Sequence, residues 1–232
     1  MQPIRFIKYD KTGYLIMTAF IYLHGFASGP GSKKATEFAK AFSEVSSRLF
    51  IPDLEGGDFQ GLSLSRQIDT ISACMDNSPE KQFGLIGSSM GGYLAMIMAQ
   101  LRQEVQAVYL MAPGFYFLKR WRSRMHGEKS ASEGIPDLIH VFHYRYNKYM
   151  PLSTGLFCDA EKWDQIPLDR KLPTRIVHGI HDDTVSIVES RNFVAAHPWC
   201  QLQELDSDHQ LLSHIDWIVE DCLEFFSKEE ML

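Results

Sequence analysis

The chain has 232 residues, 45% of them hydrophobic and 22% charged, with a formal net charge of −6. That length suffices for one domain, 1–232, with a sizeable core, and the acidic balance argues against a nucleic-acid partner, which calls for a basic surface. The longest apolar stretch, Tyr14 to Leu23, is too short to cross a bilayer, and charges interrupt the opening residues, so neither stable membrane insertion nor a secretory signal is expected. Cys74, Cys158, Cys200 and Cys222 are far apart and form no Cys-x-x-Cys pair, which reads as four reduced, mostly buried thiols in a cytoplasmic protein.

Two short strands, Ile4–Lys8 and Tyr14–Thr18, are expected around the turn Asp10-Lys11-Thr12-Gly13. Ala19–Leu23 continues as a strand and stops at His24-Gly25-Phe26. Lys33–Val45 reads as a helix with Ala35, Phe38, Ala39 and Phe42 on one face. Arg48–Ile51 is a strand, Leu64–Met75 a helix with Ile68, Ile71 and Met75 inward, and Gln82–Ile86 a strand. Tyr93–Leu101 is helical, Val105–Met111 and Thr174–Val177 are strands, Val185–Ala196 is a helix, Gln201–Leu205 a strand, and Leu211–Phe226 a last amphipathic helix. Strands alternating with helices predict an α/β fold with a mostly parallel central sheet and helices on both faces. The alternation fails between Ala112 and Leu172, in a segment rich in aromatic and basic residues. It is too long for a plain loop and reads as a partly helical cap insertion, 113–171, over the C-terminal edge of the sheet.

The sharpest motif is Gly87-Ser88-Ser89-Met90-Gly91, placed between a predicted strand and a predicted helix. This is the context of a nucleophile elbow, a strained turn that lifts a serine hydroxyl above the sheet and needs small residues two places before and after it. Ser89 then needs a base. His209 follows the last strand, at the sheet edge that carries the elbow, whereas its rival His214 lies inside the last helix. The base needs an acid to fix its tautomer. Asp182 and Asp183 both follow the strand Thr174–Val177. Serine, acid, histidine is the chain order of α/β-hydrolases. An oxyanion hole needs two N–H groups; Met90 supplies one, and the turn His24-Gly25-Phe26 stands where the second is required.

Taken together, His24-Gly25-Phe26, Gly87-Ser88-Ser89-Met90-Gly91-Gly92-Tyr93, His178-Gly179-x-x-Asp182-x-x-Val185 and Asp208-His209 resemble the α/β-hydrolase superfamily. Within it, Tyr22-Leu23-His24-Gly25-Phe26, Ser32-Lys33-Lys34 and the elbow are most similar to the small YqiA-type serine esterases. The resemblance implies Ser89 as nucleophile, His209 as base and Asp182, rather than Asp183, as acid, with the N–H groups of Phe26 and Met90 as oxyanion donors. Acyl-enzyme chemistry on these residues calls for no cofactor, and no metal is expected.

Other signals are weaker. Gly29-Pro30-Gly31-Ser32-Lys33 lacks the ending of a phosphate loop and reads as a turn. His178, His181 and Asp182 have no zinc-type spacing. The basic run Lys119-Arg120-Trp121-Arg122-Ser123-Arg124 reads as a solvated helix face rather than a site for an acidic substrate or a membrane. The cap aromatics Phe115, Phe117, Trp121, Phe142, Tyr144 and Tyr146 are candidates for an apolar substrate wall above Ser89. The expected activity is hydrolysis of a small-molecule carboxylic ester or thioester through an acyl-enzyme. The alternatives are C–C bond hydrolysis or acyl transfer on the same residues, and a receptor-like fold that binds a ligand with little turnover. The oligomeric state is not legible.

Overall fold

The computed structural model of the chain describes residues 8–9, 15–127 and 136–232, with side chains placed over 17–123 and 136–232. Strands β1 (Lys8–Tyr9) and β2 (Leu15–Ile16) form a small antiparallel pair. Ile4 to Ile7, Tyr14 and the turn Asp10 to Gly13, which complete that predicted pair, lie outside the described residues.

The central sheet contains β3 (Thr18–Leu23), β4 (Leu49–Phe50), β5 (Gln82–Ser88), β6 (Val105–Met111), β9 (Thr174–Gly179) and β10 (Cys200–Leu205). These six strands lie in the order β10-β9-β6-β5-β3-β4, and every neighbouring pair is parallel. Successive side chains of a strand point to opposite faces. On β3, Phe20 and Tyr22 therefore face one helix layer, α1 (Lys33–Glu44) and α7 (Ile215–Lys228). Ala19, Ile21 and Leu23 face the other, with α2 (Leu64–Asp76), α3 (Met90–Leu101), α5 (Gly155–Asp164) and α6 (Ile187–Ala196). Both faces are covered, which is why β3, β5 and β6 are apolar almost throughout rather than alternating. A parallel sheet with this coverage sends all its strands' C-terminal loops to one edge.

Helix starts follow local chemistry. The hydroxyls of Ser32 and Ser63 accept hydrogen bonds from Ala35 N–H (3.4 Å) and Arg66 N–H (3.2 Å), capping α1 and α2. Ala39, predicted on the buried face of α1, is exposed. At 3.6 residues per turn it lies about 70° round from the centre of the Ala35, Phe38 and Phe42 stripe, and its methyl group is too short to reach inward. The last helix opens with a 3₁₀ turn, Leu212–His214, so α7 starts later than the sequence suggests.

Between β6 and β9, where the sequence predicts a partly helical cap, the chain forms α4 (Phe117–Gly127), an antiparallel hairpin of β7 (Leu138–His143) and β8 (Lys148–Ser153), and α5. The hairpin is the element the sequence reading lacks. Its inward residues, Ile139, Val141, Met150 and Leu152, pack on the same core as α2 and α3. Of the four cysteines, Cys200 and Cys222 are buried, Cys74 is half-buried and Cys158 is exposed, all as free thiols.

Candidate active site

The tight junction of β5 and α3 leaves one residue to turn the chain. That residue is Ser89, with φ 55° and ψ −117°, a conformation that costs a non-glycine side chain about 1–3 kcal/mol. Side chains at the flanking glycines are excluded by backbone: a Cβ at Gly87 would strike Gly91 and Gly92, and one at Gly91 would strike the carbonyls of Leu23 and His24. Ser89 N–H donates to Met111 O at 2.9 Å and Gly114 N–H donates to Ser89 O at 3.0 Å, so the end of β6 braces the turn.

The loop after β10 brings His209 to this serine. His209 Nδ1 lies 2.6 Å from Asp182 Oδ2, and Nε2 lies 3.0 Å from Ser89 Oγ. A carboxylate only accepts hydrogen bonds, so Nδ1 carries the proton and Nε2 is left to accept from the serine hydroxyl. Asp182 comes from the loop after β9 and its side chain is fully buried. Its Oδ1 accepts N–H bonds from Thr184 (2.9 Å) and Val185 (2.7 Å), and its Oδ2 accepts a second imidazole bond, from His178 Nε2 at 3.1 Å. Burial alone would raise this carboxyl, but the bonds from His178, His209 and Val185 outweigh it and hold it well below the usual carboxylate range. Asp183 is exposed, and its carboxylate accepts from the Thr184 hydroxyl at 3.1 Å.

His178 stands in the motif that carries the family resemblance and among the rejected metal ligands, but the sequence assigned it no part in the site. It is completely buried, donates through Nε2 to Asp182 and to Val185 O (2.9 Å), and meets Ser190 Oγ through Nδ1 at 2.8 Å. Its spacing of four residues before Asp182, across the tight turn at Gly179, is the signal that could have marked it.

The loop after β3 also approaches Ser89. A Cβ at Gly25 would lie 3.3 Å from Ser89 Cβ and 3.9 Å from Ser89 Oγ, so a side chain here would crowd the serine and glycine eases the close approach of this loop. Met90 is the first residue of α3, and the first N–H groups of a helix have no partner within it. The loop itself is anchored by His24, which is buried. Its Nδ1 donates to Gly25 O at 3.0 Å, and its Nε2 accepts from Leu54 N–H at 3.1 Å. Burial lowers its pKa, in keeping with the neutral ring that an accepting Nε2 requires.

The six candidate wall aromatics do not act as one group. Phe26 contacts the rings of Phe59 and Trp121, both with centroids at 5.6 Å, and Trp121 meets Phe117 at 6.3 Å and Phe157 at 5.2 Å. Phe117 and Trp121 thus belong to an apolar cluster continuous with the loop beside Ser89. Phe115 instead stacks on Phe193 of α6 at 4.0 Å, inside the core. Phe142 and Tyr144 lie with Tyr149 on the outer side of the hairpin, because strand alternation turns Phe142 away from the inward Val141 and His143. Tyr146 is exposed and packs on the His143 ring at 4.6 Å.

The basic run is not simply solvated. Arg120 bonds Glu189 of α6 at 2.5 Å with both side chains largely buried, and Arg122 pairs with Glu161 of α5. A groove of about 360 Å³, lined by residues including Lys171, Thr174, Trp199 and Gln201, opens where β9 and β10 begin, at the opposite end of the strands from Asp182 and His209. Among the described residues, no three His, Cys, Asp or Glu side chains gather as a metal site requires, and no helix is long and apolar enough to cross a membrane.

Comparison with solved structures gives matches of the same architecture. Est1E from Butyrivibrio proteoclasticus superposes with a TM-score of 0.76 at 21% identity, covering 97% of this chain and 93% of that one. Alpha/beta hydrolase domain-containing protein 10 from mouse gives 0.70 at 19% identity, covering 96% and 92%. A pyrethroid hydrolase from Sphingobium faniae JZ-2 gives 0.61 at 15% identity, covering 90% and 97%. At these identities the likeness establishes the fold. No curated protein matches the sequence. Residues 19–226 match the family described as Uncharacterised protein family (UPF0227). With that match spanning nearly all of the chain, and with a parallel sheet that carries an elbow serine at its C-terminal edge, the protein belongs to the UPF0227 family and has the α/β-hydrolase fold.

Proposed function

We propose that the protein is a serine hydrolase of carboxylic esters or thioesters, working through an acyl-enzyme on Ser89. The observation that carries this reading is the continuous path from Asp182 through His209 to Ser89, at 2.6 and 3.0 Å, ending on a serine held in a strained turn. In this reading His209 takes the Ser89 proton as the hydroxyl oxygen attacks the substrate carbonyl, and Asp182 stabilises the imidazolium that forms. The N–H groups of Phe26 and Met90 receive the oxyanion. His209 then protonates the leaving alcohol or thiol. Water, deprotonated by the same ring, releases the acid from Ser89. His178 acts through Asp182, as a positioning residue. The segment 113–171 serves as a cap on a single domain, and Phe117 and Trp121 supply the apolar wall for the substrate.

The test is labelling with a fluorophosphonate probe, together with turnover of p-nitrophenyl esters and acyl-CoA thioesters of graded chain length. Wild type should label and turn over, and Ser89→Ala should lose labelling and about 10⁴–10⁶ of kcat while staying folded. Turnover that survives Ser89→Ala would overturn the assignment. A protein that binds these compounds but neither labels nor turns over would be the receptor-like alternative.

A further inference from the structure

We infer that the turn of the β7–β8 hairpin positions the oxyanion loop, with His143 and Arg145 as positioning residues for the reaction at Ser89; this rests on the hydrolase reading above. Local sequence does little to fix the loop from His24 to Gly29. It contains two glycines, and Ala27 stands at φ 53°, a left-handed value that a side chain disfavours. Something outside the loop has to hold it, and three residues at the end of the hairpin do so, Tyr144 and Arg145 directly and His143 through the loop after β4.

First, Tyr144 N–H donates to Ala27 O at 3.0 Å, a backbone bond between the hairpin and the oxyanion loop. Second, the Arg145 side chain lies on Gly29, so that a Cβ there would come within 2.9 Å of Arg145 Cδ. Its guanidinium donates to Asp53 Oδ2 at 2.9 Å. Third, His143, completely buried, places Nε2 at 2.9 Å from both oxygens of buried Glu55. The His143 ring packs edge-on against Phe59, at 4.5 Å, and Phe59 packs on Phe26.

Asp53, Glu55 and Phe59 all belong to the loop after β4, and Leu54 of the same loop donates to His24. The oxyanion loop is therefore gripped at His24, Phe26, Ala27 and Gly29, by the hairpin directly or through the β4 loop. Oxyanion donors must sit within a fraction of an ångström of the developing charge, and a misplacement of about 1 Å can cost 10²-fold in rate. A hairpin used only to size the pocket would need none of these contacts, since its inward face already packs on the core through Ile139 and Leu152.

The experiment combines kinetics with hydrogen exchange on the intact chain. Arg145→Met, Arg145→Lys and His143→Gln are compared with wild type on p-nitrophenyl acetate, butyrate and octanoate, with Tyr149→Ala on the hairpin's outer side as control. Near-UV circular dichroism reports folding. Arg145→Met, a change at a largely exposed side chain, should lower kcat roughly tenfold to hundredfold on all three esters and leave KM within about threefold. Arg145→Lys, which keeps the charge facing Asp53, should recover part of the loss. Exchange of the 24–29 amides should rise about tenfold in Arg145→Met and His143→Gln and stay at the wild-type rate in Tyr149→Ala. Unchanged kcat and unchanged exchange in folded Arg145→Met would overturn the inference, as would a loss confined to KM or to the longer esters. If exchange rises as expected but wild type shows no Ser89-dependent turnover, the hydrolase reading is the one that fails.

Discussion

Asp182 illustrates how a single side chain can be specified by its neighbours. Four hydrogen bonds converge on a buried carboxylate, two from backbone N–H groups and two from imidazoles. Asp183, one residue on, has none of these and faces water. Asp182→Asn should therefore lower kcat by about 10⁴, because an amide presents the wrong partner to His209 Nδ1. Asp183→Asn should stay within about twofold of wild type, a difference far below 1 kcal/mol at the transition state. Measured kcat values for the two variants decide between them, and a larger loss at Asp183 would reverse the assignment. The low pKa of Asp182 also has a sign for stability. A carboxyl held below its unfolded value contributes stability that is present above about pH 4, and that contribution is lost as the pH falls toward the folded pKa.

At the scale of elements, the hairpin and α4 meet the loop after β3 at different residues, Ala27 for the hairpin and Phe26 for α4. Helix α4 contributes Phe117 and Trp121, the latter in edge contact with Phe26. Trp121→Ala should shift the preferred acyl chain while fluorophosphonate labelling of Ser89 continues. Each methylene that finds an apolar wall is worth about 0.8 kcal/mol, or roughly fourfold in kcat/KM, until the pocket is full. Chain-length profiles of wild type and variant check this, and identical profiles would remove Trp121 from the wall. The hairpin contributes the Glu55–His143 contact, where burial and the nearby Asp53 push the Glu55 carboxyl up to about 7, against the pull of Arg145. Burial pushes His143 in the opposite direction, with the positive charges of Arg145 and Lys148 and the neighbouring His24 acting the same way and Asp53 opposing them. A carboxyl raised in the folded state binds more protons there than in the unfolded chain between about pH 4.5 and 7. Its stabilising contribution is complete below that window and is lost as the pH rises through 7. Relative to Glu55→Gln, wild type should lose thermal stability between pH 5 and pH 8. Melting curves of both proteins at the two pH values test the sign, and a parallel pH dependence would show that Glu55 does not titrate there.

For the whole molecule, the parallel sheet explains what could be read without a structure. Ser89, Asp182 and His209 each follow a predicted strand, and a parallel sheet gathers all such loops at one edge, so residues up to 120 positions apart could be placed together from the sequence. The elbow motif, the His24-Gly25-Phe26 turn at a strand end and the helix stripes on α1 and α2 are local patterns, and the chain order Ser–Asp–His ties the loops together. The fold class, one edge of the sheet and the candidate residues on it were thus legible from pattern alone. The hairpin was not legible, because β7 carries large side chains on both faces and shows no polar-apolar alternation; its turn holds Asn147 at φ 51°, a left-handed value that asparagine tolerates. The division of the aromatics was equally hidden, since a ring's composition does not say whether its strand turns it inward, as for His143, or outward, as for Phe142. The contacts of His143 with Glu55 and of Arg145 with Asp53 span 88 and 92 residues and follow no periodic pattern. They emerge only in three dimensions, because side chains on non-periodic loops find their partners through packing, whereas the strands and helices that carry the loops are fixed by patterns a few residues long.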